Sequence, residues 1–303
     1  MNVFEITTNQ IIQTLQKGVI PWTQPWVAVD GTAYNRVSDK NYSLGNRMLL
    51  GREGEYATYK QWQAEGFQVM PGEKSSFVTF WCEFEDKKAD PIDYKPDGTP
   101  VYPTHPVLRY YNVFHISQTT CKDPMREAVA KPAFKDVDEA EQAFLNYVAR
   151  EEIKLDRDFG VNNATMYNHA ESLAGYNPDN DEITLPAKPQ FSDAAGYYST
   201  AFHMAINSTG HAKRLNRFSP QKPAGVKEEL VAEIGAACIM RQLGVDFEIE
   251  DTASYIGRWI ENLKKDPRLI VSAASQAEKA IRYFNEGHKE EGKQESAADK
   301  TAA

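Results

Sequence analysis

The sequence lacks the features that mark several large classes of protein. It has no apolar run near the ~20 residues that a membrane-spanning helix needs, and its first residues lack the basic and apolar regions of a secretory signal. Its only three cysteines, Cys82, Cys121 and Cys238, are far apart and form no Cys-x-x-Cys pair. A disulfide framework and a thiolate zinc site are therefore disfavoured, and we predict a protein of the reducing cytoplasm without a membrane partner.

Positive charge is also scarce in this chain. Its net charge of -9 at pH 7 would ordinarily argue against nucleic-acid binding. The deficit is uneven, however, because residues 1–126 hold 13 Lys and Arg against 14 Asp and Glu, whereas residues 127–303 hold 21 against 29. Neither half has the Lys/Arg-rich stripe typical of a duplex-binding protein. Charge alone leaves nucleic-acid binding undecided.

The first half of the chain has the pattern of a small β-rich unit. The runs 77–81 and 107–114 are rich in β-branched and aromatic residues, which predicts two strands. Between them, residues 83–106 are rich in Asp, Lys, Pro and Gly and predict a long hairpin loop. A single edge-like strand is predicted much later, at 182–186.

Helical periodicity dominates the second half of the chain. Its predicted helices cover residues 139–150, 193–208, 226–243, 252–264 and 268–286. The first half has two predicted helices. The opening one covers 7–17, with Thr7 or Thr8 as its cap, and the other covers 58–65.

These elements predict an α+β fold in two domains. We expect a small, mostly antiparallel, aromatic-rich domain over 1–126, a linker over 127–138 and a mainly helical domain over 139–286. Residues 287–303 are charged and Ala-rich without large apolar side chains, so we expect them to be disordered.

Aromatic residues are concentrated in the first domain, which holds four of the five tryptophans and eight of the fifteen tyrosines. Single-stranded nucleic acid is held by aromatic side chains that stack bases, beside cations for the phosphates. The alternative is that each aromatic fills a small β core, which is the commoner case for any single residue. The candidate DNA-binding residues are Trp22, Trp26, Asn35, Arg36, Lys40, Tyr42, Asn46, Arg47, Lys60 and Lys74.

The segment 203–207 resembles a zinc-peptidase helix that has lost part of its chemistry. In His-Glu-x-x-His, two imidazoles one turn apart bind the metal and the Glu activates a water. Here His203 is present, but Met204 occupies the general-base position and Asn207 the second His position. A thioether cannot act as a base toward water, and a neutral amide is a poor zinc ligand beside imidazole.

Several segments of the chain together match one family pattern: 21–26, 71–74, 109–114, 197–203, 208–211, 214–217 and 228–235, with the spacing of Asn35, Tyr42 and Asn46. Through these segments the chain resembles the ArdC antirestriction family, whose N-terminal domain is shared with TraC-type plasmid primases. The resemblance covers about residues 3–286. It implies an N-terminal domain that binds single-stranded DNA, a C-terminal zincin-like metallopeptidase domain, and protection of incoming plasmid or phage DNA against restriction.

Resemblance and spacing assign two further positions of the zincin-like site. Glu229, on the next helix, takes the position of the third metal ligand, and Glu233, one turn later, takes that of the residue that orients a histidine. Asn207 and His211 remain further candidate ligands, although the same Thr-Gly-His sequence follows an intact pair in the family. We therefore expect either no cofactor or a weakly held zinc ion.

The sequence thus predicts a single-stranded-DNA-binding antirestriction protein with a degenerate metallopeptidase domain. No catalytic residue is assigned, and the absence of enzymatic activity is favoured. Two alternatives remain open: an atypical metallopeptidase that acts on a host defence protein, and a module that binds a protein without cleaving it. Host restriction-modification proteins are further candidate partners.

Overall fold

Residues 2–127 contain a four-stranded sheet flanked by helices. In the computed structural model, the described residues are 2–127, 137–159, 174–191, 193–217, 225–245 and 252–287. The strands of the first part are β1 (Ala33–Asn35), β2 (Gly54–Ala57), β3 (Ser76–Glu85), β4 (Asp93–Tyr94), β5 (Pro100–Val101) and β6 (Thr104–His115). Its helices are α1 (Val3–Gln16), α2 (Pro25–Ala28), α3 (Leu44–Leu50) and α4 (Tyr59–Ala64).

The long hairpin predicted from the sequence is confirmed, and its strands are longer than expected. Strands β3 and β6 pair antiparallel from Ser76 opposite Val113 to Glu85 opposite Thr104. The sheet order is β1-β2-β6-β3, which makes β3 an edge strand. Within the predicted loop, β4 and β5 form a small hairpin of their own.

The second part of the chain is mainly helical, with a small sheet. Its helices are α5 (Val137–Arg150), α6 (Ala194–Ser208), α7 (Val226–Gln242), α8 (Thr252–Lys265) and α9 (Leu269–Glu286). Its strands are β7 (Lys154–Phe159), β8 (Gly175–Asn177) and β9 (Glu182–Pro186). The fold class is α+β, as predicted. Among the described residues, none of the helices combines the length and apolarity needed to cross a membrane.

Two local predictions were wrong. Strand β9 is central, because β7 pairs with it in parallel and β8 antiparallel; the charged sequence of β7 hid that strand. Helix α1 begins four residues earlier than predicted because the Asn2 side chain accepts from the Glu5 N–H and Glu5 accepts from the Asn2 N–H. Thr7 and Thr8 are therefore buried residues inside the helix and not its cap.

The largest hydrophobic core joins the beginning of the chain to its last helices. Buried side chains of α1 and α3 pack in one cluster with those of α5 to α9. Trp22 lies fully buried in it, with its ring edge-on to Trp259 at 6.5 Å between centroids. Most of the predicted linker and the predicted disordered tail, at 128–136 and 288–303, lie outside the described residues.

His115 fixes the junction of β2 and β6 as a neutral imidazole. Its Nδ1 accepts the Ser117 N–H at 3.1 Å, so its Nε2 carries the proton and donates to the Glu53 carbonyl at 3.0 Å. Burial lowers the pKa of His115 to about 4. Gly54 makes this arrangement possible, since a Cβ there would lie 2.3 Å from Nε2.

We expect this histidine to make stability depend on pH. Its pKa is lowered on folding from about 6.5, so the unfolded chain binds the extra proton first and stability falls as the pH drops from about 6.5 to 4. Because the ring is partly open to solvent, the expected loss is about 1–2 kcal/mol. Urea unfolding at several pH values should show a smaller loss for His115→Gln. Parallel losses in the two proteins would contradict the prediction.

Candidate functional site

The close packing of α6 against α7 brings the candidate metal-binding residues together. Gly235 on α7 faces Ile206 on α6, and an added Cβ would lie 2.8 Å from Ile206 Cγ1. His203 Nε2 lies 3.9 Å from Glu229 Oε2. The structure therefore places His203 and Glu229 close together, as their predicted role as metal ligands requires.

Met204 and Asn207 lie on the same helix as His203. The Met204 side chain is half-buried and packs against the large core, so a thioether occupies the position next to His203. Asn207 is half-buried one turn further on. Neither residue supplies a group that is basic enough to activate water.

Glu233 is held by Tyr255 of α8, a residue that sequence reasoning did not select. The Tyr255 hydroxyl donates to Glu233 Oε2 at 3.1 Å, and the Trp22 Nε1–H donates to the same hydroxyl at 3.1 Å. Burial raises the pKa of the Glu233 carboxyl. The first segment of the chain thus reaches the candidate site through Trp22.

Arg258, also on α8, lies between the two carboxylates. Its Nη1 is 3.8 Å from Glu229 Oε1 and its Nη2 is 3.3 Å from Glu233 Oε1. The guanidinium carbon lies 5.5 Å from the centroid of Tyr255 and 5.0 Å from that of Trp259. Little in the sequence indicated that Arg258 would reach the site: it precedes the buried Trp259 in an amphipathic helix and belongs to no motif.

His211 belongs to a different network. Its Nδ1 lies 3.9 Å from Asp181 Oδ2 and accepts the Lys213 N–H at 3.2 Å. Arg214 binds the same carboxylate and also donates to the Ser208 carbonyl at 2.7 Å, so it ties the end of α6 to the loop before β9. The structure therefore places His211 with Asp181, whereas His203 faces Glu229.

Five of the ten candidate DNA-binding residues are buried. Each of these residues is at most 8% exposed, so the predicted surface role does not match their position. The polar ones among them are held by internal partners, as Asn46 is by the backbone of Thr79 at 2.8 and 3.0 Å. The five buried residues are Trp22, Arg36, Tyr42, Asn46 and Arg47.

The other five candidates are more accessible. Trp26 and Asn35 are half-buried, and the side-chain Oδ1 of Asn35 accepts the Val37 and Ser38 N–H groups. Lys40, Lys60 and Lys74 are exposed. These three lysines keep the accessibility that contact with phosphate requires.

Large exposed aromatic side chains occur instead on the β3–β6 hairpin. Phe80, Trp81, Phe84 and Tyr110 are 43%, 57%, 46% and 45% exposed. The register places Phe80 opposite Arg109 and Phe84 opposite His105. Because side chains alternate along a strand, one face of the hairpin carries the set that we name the hairpin face: Phe80, Phe84, His105, Arg109 and Tyr111.

Comparison with known proteins identifies the two parts of the chain. Residues 1–114 match the N-terminal domain of anti-restriction factor ArdC, and residues 154–276 match a zincin-like metallopeptidase family. Two crystal structures of the antirestriction protein ArdC from plasmid R388, one metal-free and one Mn(II)-bound, match with a TM-score of 0.66 at 28% identity. These matches cover 95% of this chain and 98% of theirs. The chain belongs to the ArdC antirestriction family.

Two other relatives of this ArdC-family chain differ in length. A DNA primase TraC of Escherichia coli is 33% identical over 92% of this chain, and the match covers 19% of the primase. The protein y4eC of Sinorhizobium fredii is 28% identical, with 94% of this chain and 92% of that protein covered. The chain thus spans only about a fifth of the primase.

The zincin-like part of an ArdC-family protein implies a metal site, and the residues present here do not fit one. His203 and Glu229 are the two conventional ligands that the structure brings together. Throughout the described ranges, no group of three or more His, Cys, Asp or Glu side chains could hold a metal ion. Arg258, which lies 3.8 Å from Glu229, carries a positive charge and has no lone pair to donate.

Proposed function

We propose that this ArdC-family protein binds single-stranded DNA through the hairpin face, acts in antirestriction, and does not cleave peptides. The observation that carries the proposal is the exposure of Phe80 and Phe84 beside a cation, Arg109, on one face of a paired hairpin. All three described cysteines are free, which supports a role in the cytoplasm.

The hairpin face supplies the groups that hold a single strand without reading its sequence. Phe80 lies 6.1 Å from Tyr111, and Phe84 lies 5.5 Å from His105, between ring centroids. Phe80 and Phe84 are four residues apart on one strand, so their Cα atoms are separated by about 13 Å. Two stacking positions on a rigid strand are therefore available, since every base has a π-face that an aromatic ring can meet.

Charge on the hairpin is compatible with this use. Arg109 is exposed on the same face as the two phenylalanines. The carboxylates of Glu83 and Glu85 alternate onto the opposite face of β3. A backbone phosphate near Arg109 would meet a positive charge without those acidic side chains on its own face.

The names of the relatives support the proposal at a coarser level. The structural match is an antirestriction protein, and two curated relatives are DNA primases. The proposal that the protein does not cleave peptides is supported by the site itself. Met204 occupies the general-base position, and Arg258 contacts the carboxylates of Glu229 and Glu233.

The double substitution Phe80→Ala/Phe84→Ala is expected to weaken binding to a single-stranded oligonucleotide by about 30-fold or more. The reason is that each stacked base contributes ~1–3 kcal/mol. Fluorescence anisotropy with a labelled oligonucleotide measures the affinity. The melting temperature should change little, because both side chains are about half exposed.

A matched control is Tyr94→Ala, which removes an aromatic side chain that is 63% exposed in β4, outside the hairpin face. It should retain the affinity of the unsubstituted protein. Equal losses in the double variant and the control would contradict the assignment of the hairpin face. Equal affinity for single strands and duplex, or binding that is insensitive to salt, would contradict single-strand binding altogether.

A further inference from the structure

The zincin-like site has a positive charge built into its protein scaffold. Glu229 and Glu233 lie one helical turn apart on α7, and Glu233 is half-buried. Two neighbouring carboxylates repel each other, and a nearby cation relieves that repulsion. In a zinc site the metal ion supplies that charge, whereas here Arg258 reaches both carboxylates.

We propose that Arg258 takes the place of a metal ion in this site and prevents a metal from binding there. The guanidinium offsets part of the negative charge of Glu229 and Glu233, and it stays protonated at all relevant pH values. It therefore makes these side-chain contacts between α8 and α7 independent of metal. This inference concerns the zincin-like part and holds whether or not the hairpin face binds DNA.

The surroundings of Arg258 keep its guanidinium in place. Its planar group lies over the rings of Tyr255 and Trp259, an arrangement that contributes cation–π stabilisation. Tyr255 is fixed in turn by its hydrogen bonds with Trp22 and Glu233. The cation is therefore held by the aromatic residues of its own helix and by the carboxylates of the preceding helix, α7.

The same geometry disfavours a divalent ion. An ion bound between His203 and Glu229 would lie close to a fixed positive charge, and it would compete with Arg258 for the carboxylate oxygens. The substitutions Met204→Glu and Asn207→His alone would therefore leave the positive charge of Arg258 beside the ion. Tight zinc binding would require that the guanidinium be removed as well.

Zinc affinity tests this requirement directly. The variant Met204→Glu/Asn207→His restores the motif, and a second variant adds Arg258→Met. Competition with a zinc-binding dye should show at least about tenfold tighter zinc binding by the second variant. A third variant that carries Lys264→Met in place of Arg258→Met controls for loss of one positive charge, since Lys264 is exposed on the same helix. Equal zinc affinity with and without Arg258, including no binding by either, would overturn the proposal.

Thermal melting without metal gives an independent measurement. Arg258→Met should lower the melting temperature by a few degrees, roughly as expected for loss of about 1 kcal/mol. In a Glu229→Gln background the same substitution should lower it less, because one of the two charges that it compensates is gone. Equal falls in both backgrounds would show that Arg258 acts through packing alone and would overturn the proposal.

Discussion

Replacing Trp22 by alanine is expected to lower the free energy of unfolding by about 3–5 kcal/mol. The side chain is fully buried in the large core, where it meets Trp259 edge-on. Its removal leaves a cavity between the start of the chain and the helices of the zincin-like part, and the Tyr255 hydroxyl loses its donor. Urea unfolding followed by circular dichroism measures the loss.

Two variants separate the causes of this effect. Trp22→Phe retains most of the packing but cannot donate to Tyr255, so we expect a smaller loss. Trp81→Ala removes an indole that is 57% exposed and should cost much less. If Trp22→Ala abolished single-strand binding and left the unfolding free energy unchanged, Trp22 would instead act as the DNA contact that the sequence predicted.

Replacing Gly54 by alanine is expected to cost about 3 kcal/mol or more, from positive-φ strain together with overpacking. Gly54 has φ of 119°, which L side chains rarely adopt, and its Cβ would lie 2.3 Å from His115 Nε2. The imidazole would have to move away from the Glu53 carbonyl and the Ser117 N–H. Both contacts at the base of the hairpin would then be lost.

Gly66→Ala is the matched control for this prediction. Gly66 also has a positive φ, of 84°, but nothing lies within 4 Å of the position of an added Cβ. Its replacement should therefore show the backbone strain alone, about 1–2 kcal/mol. Equal costs at the two glycines, measured by urea unfolding, would show that His115 adjusts without loss.

Helices were the most predictable part of this fold. Their apolar residues recur with the helical period over long segments, and the predicted bounds of α6, α7, α8 and α9 agree with the structure to within one residue. Strand β7 and helix α3 were missed because their signals are local and weak. Helix α3 is only seven residues long, with a Ser43 side chain that accepts from the Asn46 N–H.

The buried candidates for DNA contact show why a polar side chain in the sequence is not always exposed in the fold. Arg47 is buried because its guanidinium donates to the Val27 and Tyr42 carbonyls, and Asn46 is buried because its amide pairs with the edge strand at Thr79. Such partners come from elsewhere in the fold and leave no mark in the surrounding sequence.

The candidate site was predictable only where a known spacing existed. His203 and Glu229 follow from the peptidase-like helix and the helix after it, and they do lie together. Tyr255 and Arg258 come from a third helix and have no motif of their own. Their approach depends on how α8 packs on α7, which no local pattern specifies.

The shared core has a consequence for the order of folding during synthesis. Helix α1 packs against α8 and α9, and the Thr8 hydroxyl donates to the Pro267 carbonyl, 259 positions later, at 2.7 Å. The parts of α1 and α3 that pack against the last helices therefore stay uncovered until α9 has left the ribosome. Contacts of such large sequence separation form slowly, so the nascent chain presents these faces to chaperones for most of its translation.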